Sequence, residues 1–228
     1  MTSTTQEPSE ADASALPEKL ATAKRTFTPA NFLKSVGNVV ISSPAIMGSV
    51  FRPKTSKAVR EKVMLGVTAI NDCRYCAWGH SHWAAAQGIP LEEVNQILSS
   101  QVGSLKANDP AEAAAILFGQ HYAEQLDEID PKSVENLRNF FSQQQVREIL
   151  GQVYLITFTN LSGNTVEVLL ERIRGGGRPI TFFEAVVGAV LAPILFALVL
   201  FVKLQKLTGI ERRRADRHRD SAAVISKH

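Results

Sequence analysis

The stretch FFEAVVGAVLAPILFALVLFV, Phe182 to Val202, restricts the fold of this chain more than any other. From Ala185 to Val202 no side chain is charged or strongly polar. A helix that is apolar on every side must be enclosed by protein or by lipid. At ~1.5 Å of rise per residue the run nearly crosses a hydrocarbon core of roughly 30 Å. Pro193 is costly inside a soluble helix and tolerated in a span. The run, residues 182–203, therefore reads as a membrane helix; the competing reading is a helix in the core of a soluble oligomer. A basic tail, 204–228, follows. From Lys203 onward eight Lys or Arg stand against three acids. Near anionic lipid each of these cations is worth about 1 kcal/mol.

Located in this way, the net charge of +3 over 228 residues says little about the remainder. The last segment carries +5, which leaves −2 elsewhere and gives no reason to expect nucleic acid as a partner. Gly175-Gly176-Gly177-Arg178-Pro179 marks a linker over 175–181. Residues 1–26 are rich in Ser, Thr, Glu, Ala and Pro and are expected to be disordered. Their first stretch, MTSTTQEPSEADAS, has neither a basic nor an apolar region of the kind found in a secretory signal. The expectation is a membrane-associated protein whose domain 27–174 is cytoplasmic, which puts the tail outside. The eight basic residues after the run, against Arg172, Arg174 and Arg178 before it, favour an inside tail instead, so the topology stays open.

That domain reads as an all-α bundle. No stretch alternates like a strand, although VGNVVISS is locally ambiguous. Helix starts are well marked. Asp109-Pro110-Ala111-Glu112 sets an N-cap, a first-turn proline and a capping-box Glu in order. Asp130-Pro131 opens another helix, and Ser142 with Gln145 a third. Gly88 closes the helix before Pro90.

The chemistry concentrates in INDCRYCAWGHSHW, Ile70 to Trp83, which holds both cysteines and two of the five histidines. Two cysteines cannot frame a disulfide-stapled domain of this length, so the close pair suggests redox or metal chemistry. Asn71 and Asp72 are good N-caps, so Cys73 is expected in the first turn of a helix, where the thiolate is favoured. Cys73, Cys76 and His80 then share one face. The preceding helix is expected over Lys57 to Ala69. With a reversal near Asn71, Glu61 and His80 both lie roughly 14 Å from the turn at 1.5 Å per residue, so they can face one another. A relay follows: Glu61 orients His80, and His80 activates Cys76. The alternatives are inert core cysteines or zinc held by Cys73, Cys76, His80 and His82. His82 points about 200° around the helix from His80, which works against the zinc set. His82 and His121 read as polar or packing residues. Trp78, Trp83 and Phe118 read as packing between helices, or as the aromatic wall of an apolar pocket.

Glu61, the motif Cys73-Arg74-Tyr75-Cys76 and His80 together resemble the signature of the AhpD-like alkylhydroperoxidases, of the carboxymuconolactone decarboxylase superfamily. The segment REKVMLGVTAINDCRYCAWGHSHWAAAQGIPLEEV is similar throughout, and FTNLSGNTVEV resembles the usual end of that domain. The resemblance covers about residues 30–174. It implies an AhpD-like helical bundle that forms homo-oligomers, often trimers or multiples of them. It implies hydroperoxide reduction in which Cys76 attacks and Cys73 resolves as a disulfide, with Glu61 and His80 as the proton relay. An external dithiol, lipoamide-like or thioredoxin-like, then restores the thiols, and no cofactor or metal is implied. Tyr75 departs from the histidine usual at that position, and the apolar helix and basic tail are not part of the usual domain. The expected function is thus a thiol peroxidase tethered to membrane lipid, with its chemistry independent of everything after Gly175. A general thiol–disulfide oxidoreductase and a non-enzymatic membrane-anchored scaffold are the alternatives.

Overall fold

The computed structural model describes residues 24–99, 109–125 and 128–207. The expected tails therefore lie largely outside the described residues: 1–23 of the first and 208–228 of the second. Among the described residues the fold is all-helical, with eight helices and no strand. They are α1 (Pro29–Phe51), α2 (Lys57–Asn71), α3 (Arg74–Ala86), α4 (Leu91–Leu98), α5 (Pro110–Glu124), α6 (Pro131–Arg138), α7 (Gln143–Ile173) and α8 (Phe182–Leu207). The ambiguous VGNVVISS belongs to α1, whose start is closed by a reciprocal capping box between Thr28 and Asn31.

α7 is the spine. Its 31 residues make it about 46 Å long at 1.5 Å per residue, and α1, α2, α3, α5, α6 and α8 all pack on it. Ser142 and Gln145 form the capping box the sequence marks. Buried apolar side chains of α7 and α2, among them Val63, Val67, Ile149, Val153 and Ile156, meet Phe118 and Tyr122 of α5 in the main core. The opposite face of α2, Leu65 and Ala69, packs with Ala77, Ala84, Ile97 and Ile116 in a second core. α2 is thus enclosed on both sides, which a one-sided apolar pattern would not allow.

At the start of α5, Asp109 accepts from the backbone N–H of Ala111. Glu112 does not complete the expected capping box. It turns instead to Lys62 Nζ at 2.6 Å, which also holds Glu93 at 2.7 Å. One ammonium on α2 thereby joins α4 and α5, and an ion pair in a half-buried groove outcompetes a local cap.

α8 lies along α7 in the opposite direction. Gly188 sits so close that a Cβ there would meet Leu169 Cβ at 3.2 Å and the Thr165 carbonyl at 3.2 Å. An aromatic cluster of Phe27, Phe32, Phe158 and Phe183 closes the shared base of α1, α7 and α8. Lys24, Arg25 and Thr26, assigned by sequence to the N-terminal tail, are tied down: Lys24 to Glu167 at 2.6 Å, Arg25 to Asn71 at 2.8 Å and Thr26 to Glu184 at 2.6 Å. The stretch Phe182–Gln205 is long and apolar enough to cross a membrane, and 17% of its most apolar window is buried.

Candidate active site

The site forms where α2 turns back into α3. Asp72 takes a left-handed conformation, φ 51° and ψ 47°, and caps the C-terminus of α2. Short polar residues tolerate this region better than branched ones. The N-cap of α3 is therefore not Asn71 or Asp72, as the sequence suggests, but Cys73 itself. Its Sγ accepts from the backbone N–H of Cys76 at 3.3 Å. Asp72 is already committed to ending the preceding helix, so the cap falls one residue later. A sulfur at the N-cap sits at the positive end of the helix dipole, which stabilises a thiolate there. Gly88, at φ 80°, closes the far end of α3.

Cys73 and Cys76 are joined as a disulfide, with Cα atoms 5.3 Å apart. They are not equivalent. Cys73 is 1% exposed and faces α7, where a Cβ on Gly163 would lie 2.7 Å from its sulfur. Cys76 lies against the Thr159 carbonyl, 3.7 Å from Sγ, and lines a pocket of about 290 Å³. The pocket also receives Glu61 from α2 and His80 from α3. His80 Nδ1 and Glu61 Oε2 are 2.8 Å apart. With Glu61 ionised, Nδ1 donates to it and Nε2 is left as the nitrogen able to accept a proton. His80 is almost buried, and Trp83 packs edge-on to it at 5.1 Å. Thus Glu61, His80 and Cys76 meet in one cavity, and Cys73 stands behind Cys76.

Around this core lies a second set of residues that spacing did not single out. Asn164 Nδ2 donates to the Asn71 carbonyl at 2.7 Å and to the Arg25 carbonyl at 3.0 Å. Arg74, inside the motif, pairs with Glu167, which also holds Lys24. That pairing holds the Arg74 guanidinium pKa above its usual value, against the effect of partial burial. Gly163, Asn164 and Glu167 fall within FTNLSGNTVEV, but only packing against the turn discloses their roles. His82 Nδ1 is bonded to the Trp78 carbonyl at 2.7 Å, and His121 lies 3.7 Å from Asp130. Among the described residues no group of three or more His, Cys, Asp or Glu side chains is placed to hold a metal. Trp78 and Trp83 line the pocket, whereas Phe118 is in the main core.

The independence expected of the C-terminal helix does not match the geometry. Leu195, Leu198, Val199 and Val202 of α8 form part of the pocket wall, and Trp83 Nε1 donates to Gln205 at 3.4 Å. No protein-family model, curated protein or solved structure matches this chain.

Proposed function

We propose that this chain is an AhpD-like thiol peroxidase associated with membrane lipid. The observation that carries the reading is the asymmetry of the pair. Cys76 opens on the pocket that holds the Glu61–His80 pair, and Cys73 is shielded behind it. A nucleophile needs access, a base and a group that orients the base. In the dithiol state His80 takes the Cys76 proton. The thiolate attacks the terminal oxygen of a hydroperoxide, an S–O bond forms as the O–O bond breaks, and the leaving alkoxide takes the proton back from His80. Cys73 then displaces the Cys76 sulfenic hydroxyl as water, which forms the disulfide. An external dithiol returns two electrons and is itself oxidised.

Membrane association is supported by the length and apolar character of Phe182–Gln205. A cytoplasmic domain and a homo-oligomer complete the reading. The oligomer is supported by α1, which turns Leu33, Val40, Met47 and Phe51 outward and buries Ser35 and Ser49. An apolar face turned outward and a polar face turned inward need a partner surface.

The test is peroxide consumption by the full chain with dihydrolipoamide as reductant. Cys76→Ser should stop turnover, and Cys73→Ser should allow a single turnover to a sulfenic acid. If Cys73→Ser is inert and Cys76→Ser traps the intermediate, the general oxidoreductase reading takes its place.

A further inference from the structure

The pocket has two walls of opposite character. One carries the chemistry: Glu61, Cys76 and His80. The other is hydrocarbon, and α8 supplies much of it through Leu195, Leu198, Val199 and Val202. These four fall at i, i+3, i+4 and i+7, a single helix face. The same face continues through Leu191 and Gly188 onto α7, so the wall is built into the packing of α8 rather than laid against it by chance. Gln205 and Trp83 hold its far end over α3.

Reduction of an O–O bond makes no demand for such a wall. Hydrogen peroxide would leave it unused, and a polar substituent would be desolvated there without hydrogen-bond partners. A hydrocarbon substituent would gain from it, at about a fourfold factor in affinity per buried CH₂. The cavity, about 290 Å³, is near the lower end of the ~300–1,000 Å³ usual for small-molecule sites. Leu198 of its lining is 44% exposed, and its neighbours on α8, Ile194 and Phe201, are exposed apolar residues as well. A chain longer than the cavity therefore meets a continuous apolar surface on leaving it.

We propose that α8 is the substrate wall of the redox site, and that the site takes a hydroperoxide borne on a long hydrocarbon chain, with the peroxide end at Cys76 and the chain running out past Leu198. The proposal rests on the thiol-peroxidase reading. The reaction is the one given above: the chain-bearing hydroperoxide leaves as the corresponding alcohol plus water, and the external dithiol is oxidised.

The experiment uses the full chain in lipid nanodiscs with dihydrolipoamide. kcat/KM is measured for hydrogen peroxide, tert-butyl hydroperoxide, an eighteen-carbon fatty-acid hydroperoxide and the same chain esterified in a phospholipid. Preference for the two long-chain substrates is expected, and the last two arms separate a free acid from a bilayer lipid. Leu198→Ser and Val199→Ser should lower the long-chain to hydrogen peroxide ratio by about tenfold or more, mainly through KM. Leu200→Ser, on the opposite side of α8, should retain it. Circular dichroism and disulfide formation check that the variants fold. Equal kcat/KM for all substrates, or a ratio unmoved by both pocket variants, overturns the proposal and leaves the peroxidase reading intact. A separate measurement follows quenching of Trp78 and Trp83 fluorescence by the unreactive eighteen-carbon hydroxy acid. Saturable binding that Leu198→Ser weakens, without turnover of any hydroperoxide, keeps the apolar wall and overturns the peroxidase reading. Absence of both binding and turnover overturns both.

Discussion

At the scale of single residues the site depends on three positions with distinct physical tasks. Glu61 lines the pocket and holds His80 Nδ1 at 2.8 Å, so in the proposed relay its task is to fix the orientation of the imidazole. Glu61→Gln should reduce peroxide turnover by about 10²-fold, within the usual reach of acid–base groups, and shift its pH profile. A circular dichroism spectrum should remain unchanged. Gly163 makes room for a sulfur: any Cβ would lie 2.7 Å from Cys73 Sγ and 3.6 Å from Cys76 Sγ. Gly163→Ala should cost about 1–3 kcal/mol by overpacking and slow disulfide closure, as read by thermal melts and thiol trapping. Asp72 is the one described non-glycine residue at positive φ. Asp72→Val should destabilise the domain by about 1–2 kcal/mol, whereas Asp72→Gly should be tolerated.

At the scale of elements, the α2–α4–α5 junction turns on Lys62. Its ammonium sits between Glu93 and Glu112 and is 10% exposed. Burial works to lower its pKa, but hydrogen bonds and attraction from Glu112 and Glu93 overcome this and raise it above 10.5. The folded state thus holds the proton more tightly than the unfolded chain. The resulting stability is fully present below about 10.5 and is lost as pH rises through the still higher native value. Lys62→Met should leave two carboxylates facing each other, lower stability by about 1–2 kcal/mol at neutral pH and abolish this alkaline dependence in denaturant titrations. The turn between α2 and α3 is held from α7 by Asn164 and Glu167, which explains how a two-residue reversal can present a fixed sulfur to the pocket.

At the scale of the whole molecule, α8 is both the helix long and apolar enough to cross a membrane and part of the pocket wall. Truncation after Gly175 should release the protein from membranes in a carbonate wash and also remove a wall of the pocket. Turnover of chain-borne hydroperoxides should therefore fall with attachment rather than survive it. Full-length protein found in the detergent-free soluble fraction would count against the lipid reading. α1 makes a separate demand. Val40→Glu with Met47→Glu on its outward face should reduce the mass seen by light scattering to that of a monomer, without loss of helicity. An unchanged mass would count against α1 as an oligomer contact.

The helical class, the starts at Asp109, Asp130 and Ser142 and the stop at Gly88 are local features: caps, proline and left-handed glycine act within four residues, so they are legible in the chain itself. The facing of Glu61 and His80 was also legible, because two helices joined by a tight reversal keep equal distances from the turn. What the chain by itself left open was long-range. Glu112 has a local and a distant partner, and only the position of Lys62 decides between them. The difference between the two cysteines arises from α7 pressing Gly163 against one sulfur and leaving the other on a cavity. Phe182 to Val202 announces in sequence that it must avoid water. Which of its faces turns outward and which lines the pocket beside Cys76 follows only from where α8 lies on α7, because hydrophobicity carries no direction.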